Sequence, residues 1–234
     1  MEQLTIGMGE VGKALQKILK CDGIDIYDNE LGVYNIIHIC FPYNKNFIKQ
    51  VKAYQKQYLL PNGLTIIHST VPIGTSKKLD AVHSPTRGIH PHLEEGIRTF
   101  VKFFGGKRAS EAALIFKKYG ISTFATSKSE NTEAMKLWDT TQYGSAILLE
   151  KEIYEFCQKN KLDFPVVYSY ANATYNAGYK ALDHDEYKRY ILKHVPGGIG
   201  GHCIVSNCKL FNSPTAKQIL NYDKKNRPNV NRKS

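Results

Sequence analysis

Apolar runs of four to seven residues alternate with helical periods through the first half of this chain. Residues 3–6 form a short apolar run, then the glycines of Gly7-Met8-Gly9-Glu10-Val11-Gly12, then a helical period to residue 20 on Val11, Ala14, Leu15, Ile18 and Leu19. Residues 24–27 predict a second strand. Residues 35–41 are almost wholly apolar, as a parallel strand covered on both faces should be, and Pro42 stops them. A helix is expected over 46–59, a turn at Pro61-Asn62-Gly63, and strands over 64–68 and 81–83. A helix over 110–119 and a strand over 122–125 complete the unit. This alternation predicts an α/β fold, a parallel sheet with helices on both faces.

The pattern changes near residue 128. Residues 130–159 read as one long helix through Ala134, Leu137, Trp138, Leu148, Leu149, Ile153 and Phe156, with Gly144 a weak point inside it. Helices are expected over 164–179 and 184–193, then a glycine turn, then a short helix near 215–220. Tyr168, Tyr175 and Tyr179 share one helical face, where such spacing is more often core than ligand-binding. The domains are thus 1–127, a Rossmann-type domain, 128–222, all helical, and 223–234, a basic disordered tail.

Charge narrows the partners. The net charge of +11 favours anionic ligands, although the tail supplies part of it through Lys224, Lys225, Arg227, Arg232 and Lys233. RNA-module signatures and zinc-finger spacings are missing, which argues against nucleic acid. No apolar run has membrane-spanning length, and a strand beginning at Leu4 leaves no room for a signal peptide. A cytoplasmic protein is expected. Cys21, Cys40, Cys157, Cys203 and Cys208 lack framework spacing and read as reduced thiols. His90-Pro91-His92 is a poor metal site without nearby cysteines, so no metal is expected.

Two motifs carry chemistry. Gly7-x-Gly9-x-x-Gly12 follows a strand and opens a helix: the glycines allow a tight turn, close approach of a pyrophosphate, and helix-on-strand packing. The pyrophosphate would meet unpaired N–H groups at the helix start. Asp28, closing the next strand, would bind ribose hydroxyls and repel a 2′-phosphate, favouring NAD over NADP. The second motif, Gly197-Gly198-Ile199-Gly200-Gly201-His202-Cys203, delivers a thiol at the end of a tight turn. Cys203 is either a covalent nucleophile or an inert thiol. Lys136, Thr140 and Tyr143 share a face of the long helix. Lys136 is either surface or a base that stabilises a developing alkoxide.

These residues, in order, resemble the UDP-glucose/GDP-mannose dehydrogenase family of nucleotide-sugar 6-dehydrogenases. The resemblance runs through Gly7–Gly12, Phe41-Pro42, Ser69-Thr70-Val71-Pro72-Ile73-Gly74, Ser84-Pro85, Leu93-Glu94-Glu95-Gly96, the Lys136 helix and Gly198–Ile204. It implies an NAD-dependent, two-step oxidation of a primary alcohol to a carboxylate. By that resemblance Cys203 captures the aldehyde, Lys136 is the catalytic lysine, and Thr70 and Glu95 position water. The cofactor is implied to lie on Gly7, Met8, Gly9, Glu10, Val11, Gly12, Asp28, Phe41, Pro42 and Thr70. A homodimer through the helical domain and an anionic small-molecule substrate, up to a nucleotide sugar, are also implied. The chain departs from the family at Thr140, where the family has asparagine, at Asn207, where it has aspartate, and at Thr86, where a glutamate is usual. Only 31 residues follow Cys203, where the family continues into a nucleotide-sugar-binding domain. Two other readings stay open: a single hydride transfer using Lys136, as in hydroxyacid dehydrogenases, and an NAD-binding subunit without catalysis.

Overall fold

The computed structural model describes residues 1–25, 31–88, 91–200 and 202–227. Among the described residues seven strands form one sheet in the order β2-β1-β3-β4-β5-β6-β7. These are β1 Gln3–Ile6, β2 Asp22–Ile24, β3 Tyr34–Ile39, β4 Leu59–Ile67, β5 Val82–His83, β6 Lys102–Gly105 and β7 Thr123–Thr126. β1 to β5 are mutually parallel, β6 runs antiparallel to β5, and β7 is parallel to β6.

Alternation along the strands builds two apolar layers. Ile36 of β3 and Ile66 of β4 face α1 (Glu10–Leu19) and α5 (Ala109–Lys117), packing with Leu15, Phe104 and Phe116. Ile37, Ile39 and Ile67 face α2 (Phe47–Tyr58), packing with Phe47, Val51 and Tyr58. The sheet therefore has helices on both faces, as the periodicity predicts. A short α3 (Thr75–Lys78) and an α4 (Leu93–Thr99) complete this layer.

Several elements differ from the sequence expectation. β2 begins and ends earlier than 24–27. β4 starts five residues early and takes in Pro61-Asn62-Gly63 as a bulge: the register on β3 shifts between Tyr34 and Ile36, and Asn62 is left-handed at φ 64°. Arg108 donates to the carbonyls of Asn62 at 3.0 Å and Gly63 at 2.6 Å, so the bulge keeps its polar groups paired. α4 and β6 are not anticipated by the periodicity, being only seven and four residues long.

α6 (Ser129–Asn160) is the long helix expected. The chain divides within it into two compact units, Met1–Leu137 and Trp138–Ser234. In the second unit a π-helical turn (Pro165–Tyr170) leads into α7 (Ala171–Ala181), and α8 (His202–Cys208) precedes α9 (Pro214–Asn226). Gly144 has a packing reason: a Cβ there would stand 2.6 Å from Ile204 and 2.9 Å from Ile219.

The helix expected over 184–193 is only a 3-10 turn, Asp185–Tyr187. The following backbone is bonded sideways instead. Tyr168 donates its hydroxyl to Tyr190 O and accepts from Leu192 N, and the Asn176 amide pairs with both backbone groups of Arg189. Arg189 lies 3.6 Å over the Tyr175 ring, and Tyr179 packs on Tyr175 and Tyr187. Residues 223–226, expected to lie in the tail, belong to α9, and Asp223 is buried. Residues 228–234 lie outside the described residues. Among the described residues no helix is long and apolar enough to cross a membrane.

Candidate functional site

β1 and β3 are adjacent in the sheet, and the connection leaving β1 runs to one side, to β2, whereas the one leaving β3 runs to the other, to β4. Ligands of open α/β sheets bind in the crevice this reversal leaves at the strand ends. The first glycine motif lies there. Gly7 has φ +96°, and a Cβ on it would stand 2.7 Å from Phe41 N. A Cβ on Gly12 would stand 2.0 Å from Gly7 O. Gly9 differs: a Cβ there meets nothing within 4 Å, and its φ of −70° is ordinary. Packing thus explains Gly7 and Gly12, whereas Gly9 leaves a bare face at the start of the ten-residue α1. A pyrophosphate fits that face, with helix N–H groups beneath it. Glu10 and Val11 form the first turn of α1, and Glu10 is exposed.

The ends of β1, β2, β3 and β4 are tied together here. Gly7 N donates to Ile24 O at 2.7 Å, and Met8 N donates to the Asp25 carboxylate at 2.5 Å. Ser69 donates its hydroxyl to Phe41 O at 2.6 Å. Phe41 is half-buried against Phe47 and Tyr54, Pro42 is exposed, and Thr70 is half-buried next to Ser69. Asp28 lies outside the described residues. Asp25 is an acid that sequence reasoning passed over. Its signal was the early end of β2, which periodicity placed three residues later.

The first turns of α6 close on the same unit. Glu133 accepts from Gly74 N at 2.5 Å and Ser76 N at 2.8 Å, fixing the Val71–Ser76 turn, although burial raises its carboxyl above the usual range. Lys136 donates to Thr86 O at 2.9 Å. The hydroxyls of Ser84 and Thr86 are buried in that turn without a protein partner. Glu95 is exposed on α4, lining a shallow cleft with Pro91, His92 and Arg98, and His90 lies outside the described residues.

Behind this turn is a buried polar row that the sequence pattern hid. His38 of β3 and His68 after β4 share a hydrogen bond of 3.0 Å, and His38 also reaches Gln3 at 2.9 Å. Ser84 O only accepts, so His68 carries its proton on Nδ1 toward it at 2.9 Å. His83 bonds Thr132 and Ser69 O. Burial lowers His38 and His83 to about 3 and His68 well below its usual value, so all three imidazoles are neutral.

In the second unit, the turn leading to Cys203 is held from two helices. Lys151 of α6, only 2% exposed, donates to Val195 O at 2.5 Å and Gly197 O at 3.0 Å. Asp223 of α9 accepts from Ile199 N at 2.9 Å and pairs with Arg227. His194 stacks on Tyr154 at 3.5 Å and bonds Glu150 at 2.9 Å. Gly197 has φ +93°, and a Cβ on Gly198 would stand 2.5 Å from the Asp223 carboxylate. These two positions need glycine. Cys203 is exposed in the first turn of α8. Two of the three departures, Thr140 and Asn207, are partners: Asn207 Nδ2 donates to Thr140 Oγ1 at 3.3 Å.

No family model and no curated protein matches the chain. Solved structures share its fold. A UDP-D-ManNAc dehydrogenase from Pyrococcus horikoshii is 17% identical with a TM-score of 0.73, covering 96% of this chain and 68% of that one. The native UDP-N-acetyl-mannosamine dehydrogenase from Staphylococcus aureus is 15% identical with a TM-score of 0.69, over 96% and 68%. A 3-hydroxyisobutyrate dehydrogenase from Mycobacterium tuberculosis, solved with L-serine, is 12% identical with a TM-score of 0.66, over 96% and 93%.

Proposed function

We propose that this chain is an NAD-dependent oxidoreductase that oxidises a primary alcohol of a sugar nucleotide or small anionic hydroxy compound. The observation that carries this reading is the bare face at Gly9. It lies at the switch point of the sheet, between two glycines whose own roles are explained by packing. Gly7, Met8, Gly9 and the first turn of α1 would hold the pyrophosphate, with Phe41, Pro42 and Thr70 bordering the crevice. Asp28 is proposed for the ribose hydroxyls. A bound nicotinamide supplies a hydride acceptor.

The chain's own residues handle protons and carbon. Lys136 takes the hydroxyl proton as the alcohol loses hydride, and its charge stabilises the alkoxide. Cys203 adds as thiolate to the aldehyde, giving a thiohemiacetal. Loss of a second hydride, which needs a second equivalent of oxidised nicotinamide cofactor, would give a thioester, and water would release the carboxylate and the thiol. Thr70 and Glu95 are proposed to position that water. The net charge of +11 supports an anionic substrate. A homodimer through the helical unit belongs to the same reading, supported by exposed Leu149 and Phe156 on α6 and Val166 and Tyr170 on the turn after it.

One observation favours a second reading. The Thr140–Asn207 pair places two neutral groups where the resembled family carries asparagine and aspartate, so a carboxylate near the thiol is gone. A single hydride transfer through Lys136 needs none. NADH yield per substrate across a panel of alcohols, hydroxyacids and sugar nucleotides separates the two: two equivalents support the first and one the second. Full NADH production by both Cys203→Ser and Lys136→Ala refutes both. Tight NAD binding without turnover on any compound supports a non-catalytic subunit.

A further inference from the structure

We propose that Lys102 is a positioning residue for Lys136, which it influences through the turn that both amines share and through its own charge. The proposal rests on the reading of Lys136 as the reacting amine. Lys102 opens β6 and is 4% exposed. Its Nζ donates to Ser84 O at 3.2 Å and reaches Pro85 O at 3.5 Å. The next carbonyl, Thr86 O, holds Lys136 at 2.9 Å. Two lysines from separate elements thus grip successive carbonyls of one turn.

The surroundings of Lys102 make its charge conditional. Phe104 of β6 and Phe116 of α5 lie within 6 Å of its nitrogen, at 5.9 Å and 5.5 Å. Among the described residues, the titratable groups that face it are His38 of β3, Cys40 after β3, His68 after β4, His83 of β5 and Lys136 of α6. None is a carboxylate. Lys136 in turn faces His83 of β5 and Lys102. Burial above all, opposed by Cys40 and aided by the positive charge of Lys136, lowers Lys102 to about 7. Repulsion is mutual: when Lys102 takes a proton, Lys136 releases its own more readily. Lys102 thereby acts on the proton affinity of Lys136 through its charge as well as through the shared turn.

Competitive labelling of the full chain with trace acetic anhydride, followed over pH by mass spectrometry of the Lys136 peptide, tests this without cofactor or substrate. In the native chain the rise of Lys136 reactivity should flatten as Lys102 titrates, near 7. Below that pH the native chain should label at Lys136 on the order of tenfold faster than Lys102→Met, from a charge one turn away at an effective dielectric of about 20. Above it the two should converge. A role confined to packing shifts the curve equally at every pH and overturns the proposal, as do identical curves. Should Lys102→Met fail to fold, the native curve decides alone, because a rise without flattening overturns the coupling. Failure here leaves the dehydrogenase reading intact. Full turnover by Lys136→Ala overturns that reading and leaves the coupling of the two amines standing.

Discussion

Gly9→Ala separates cofactor binding from folding. At Gly7 the backbone is at φ +96°, and at Gly12 a Cβ would overlap a carbonyl at 2.0 Å, so alanine at either site damages the fold itself. Gly9 has φ −70°, ψ −167°, and a Cβ there meets no protein atom within 4 Å. Alanine restricts the unfolded chain, worth about 0.4–1 kcal/mol, and loses the preference of a helix N-cap for glycine over alanine, an opposing cost of about the same size. The melting temperature should therefore move by at most ~4 °C in either direction for a chain of this size. A pyrophosphate seated on the same face has no such room. An added methyl group pushes it off the helix N–H groups and costs about 1.4–3 kcal/mol, roughly tenfold to a hundredfold in Kd. Titration of NADH fluorescence beside a thermal melt measures both. Unchanged NADH affinity with an unchanged melt would falsify the placement of the cofactor over Gly9. A melt lowered by more than that would instead refute the packing argument.

Three further outcomes are expected. The three histidines bind protons more weakly in the fold than their usual 6.5, so their stabilisation is present above about 6.5 and is lost as pH falls below it, toward about 3 for His38 and His83. The loss is at most ~1.4 kcal/mol per pH unit for each imidazole, and His38→Gln should flatten the denaturant midpoint against pH over that window. Glu133→Ala leaves Gly74 N and the buried Ser76 N without their acceptor and should cost about 1–3 kcal/mol in urea unfolding, with an unchanged midpoint arguing against this capping role. Asp223→Ala removes the acceptor of the buried Ile199 N–H at a similar cost of about 1–3 kcal/mol, and hydrogen exchange over residues 195–200 should quicken. Exchange at the native rate there would show that Lys151 alone holds the turn.

The elements that repeat a period over enough residues were readable directly: the strand–Gly7–α1 unit, β3, α2 and the length of α6. Those that failed had too little sequence to carry a period, as in α4, β6 and α8, or had their backbone claimed by distant side chains. Residues 188–192 are the clearest case, since Tyr168 and Asn176 take the groups a helix would have paired. The Pro61-Asn62-Gly63 signal was a correct reading of local geometry, for Asn62 is left-handed, but strand pairing absorbed it as a bulge. Among the candidate residues, Gly7, Gly9, Gly12, Lys136 and Cys203 were found by motif. Lys102, Lys151, Glu133 and Asp223 were not, because a buried charge is recognised by its partner and the partners lie far along the chain, and the exposed Asp25 was hidden by the early end of β2.

By itself the sequence determined the class of fold, the position of the glycine turn between strand and helix, and a long helix bearing Lys136. Each depends on neighbours within one or two turns of chain, where residue spacing and backbone geometry are nearly the same statement. Tertiary structure alone decided which glycines serve packing and which leaves room for a ligand, because that distinction depends on atoms such as Phe41 N and Gly7 O meeting in space. It also decided that Lys102 and Lys136 share one turn, and that Thr140 and Asn207 are a pair. The strength of such contacts is set by burial and distance, and neither is a property of a residue's place along the chain.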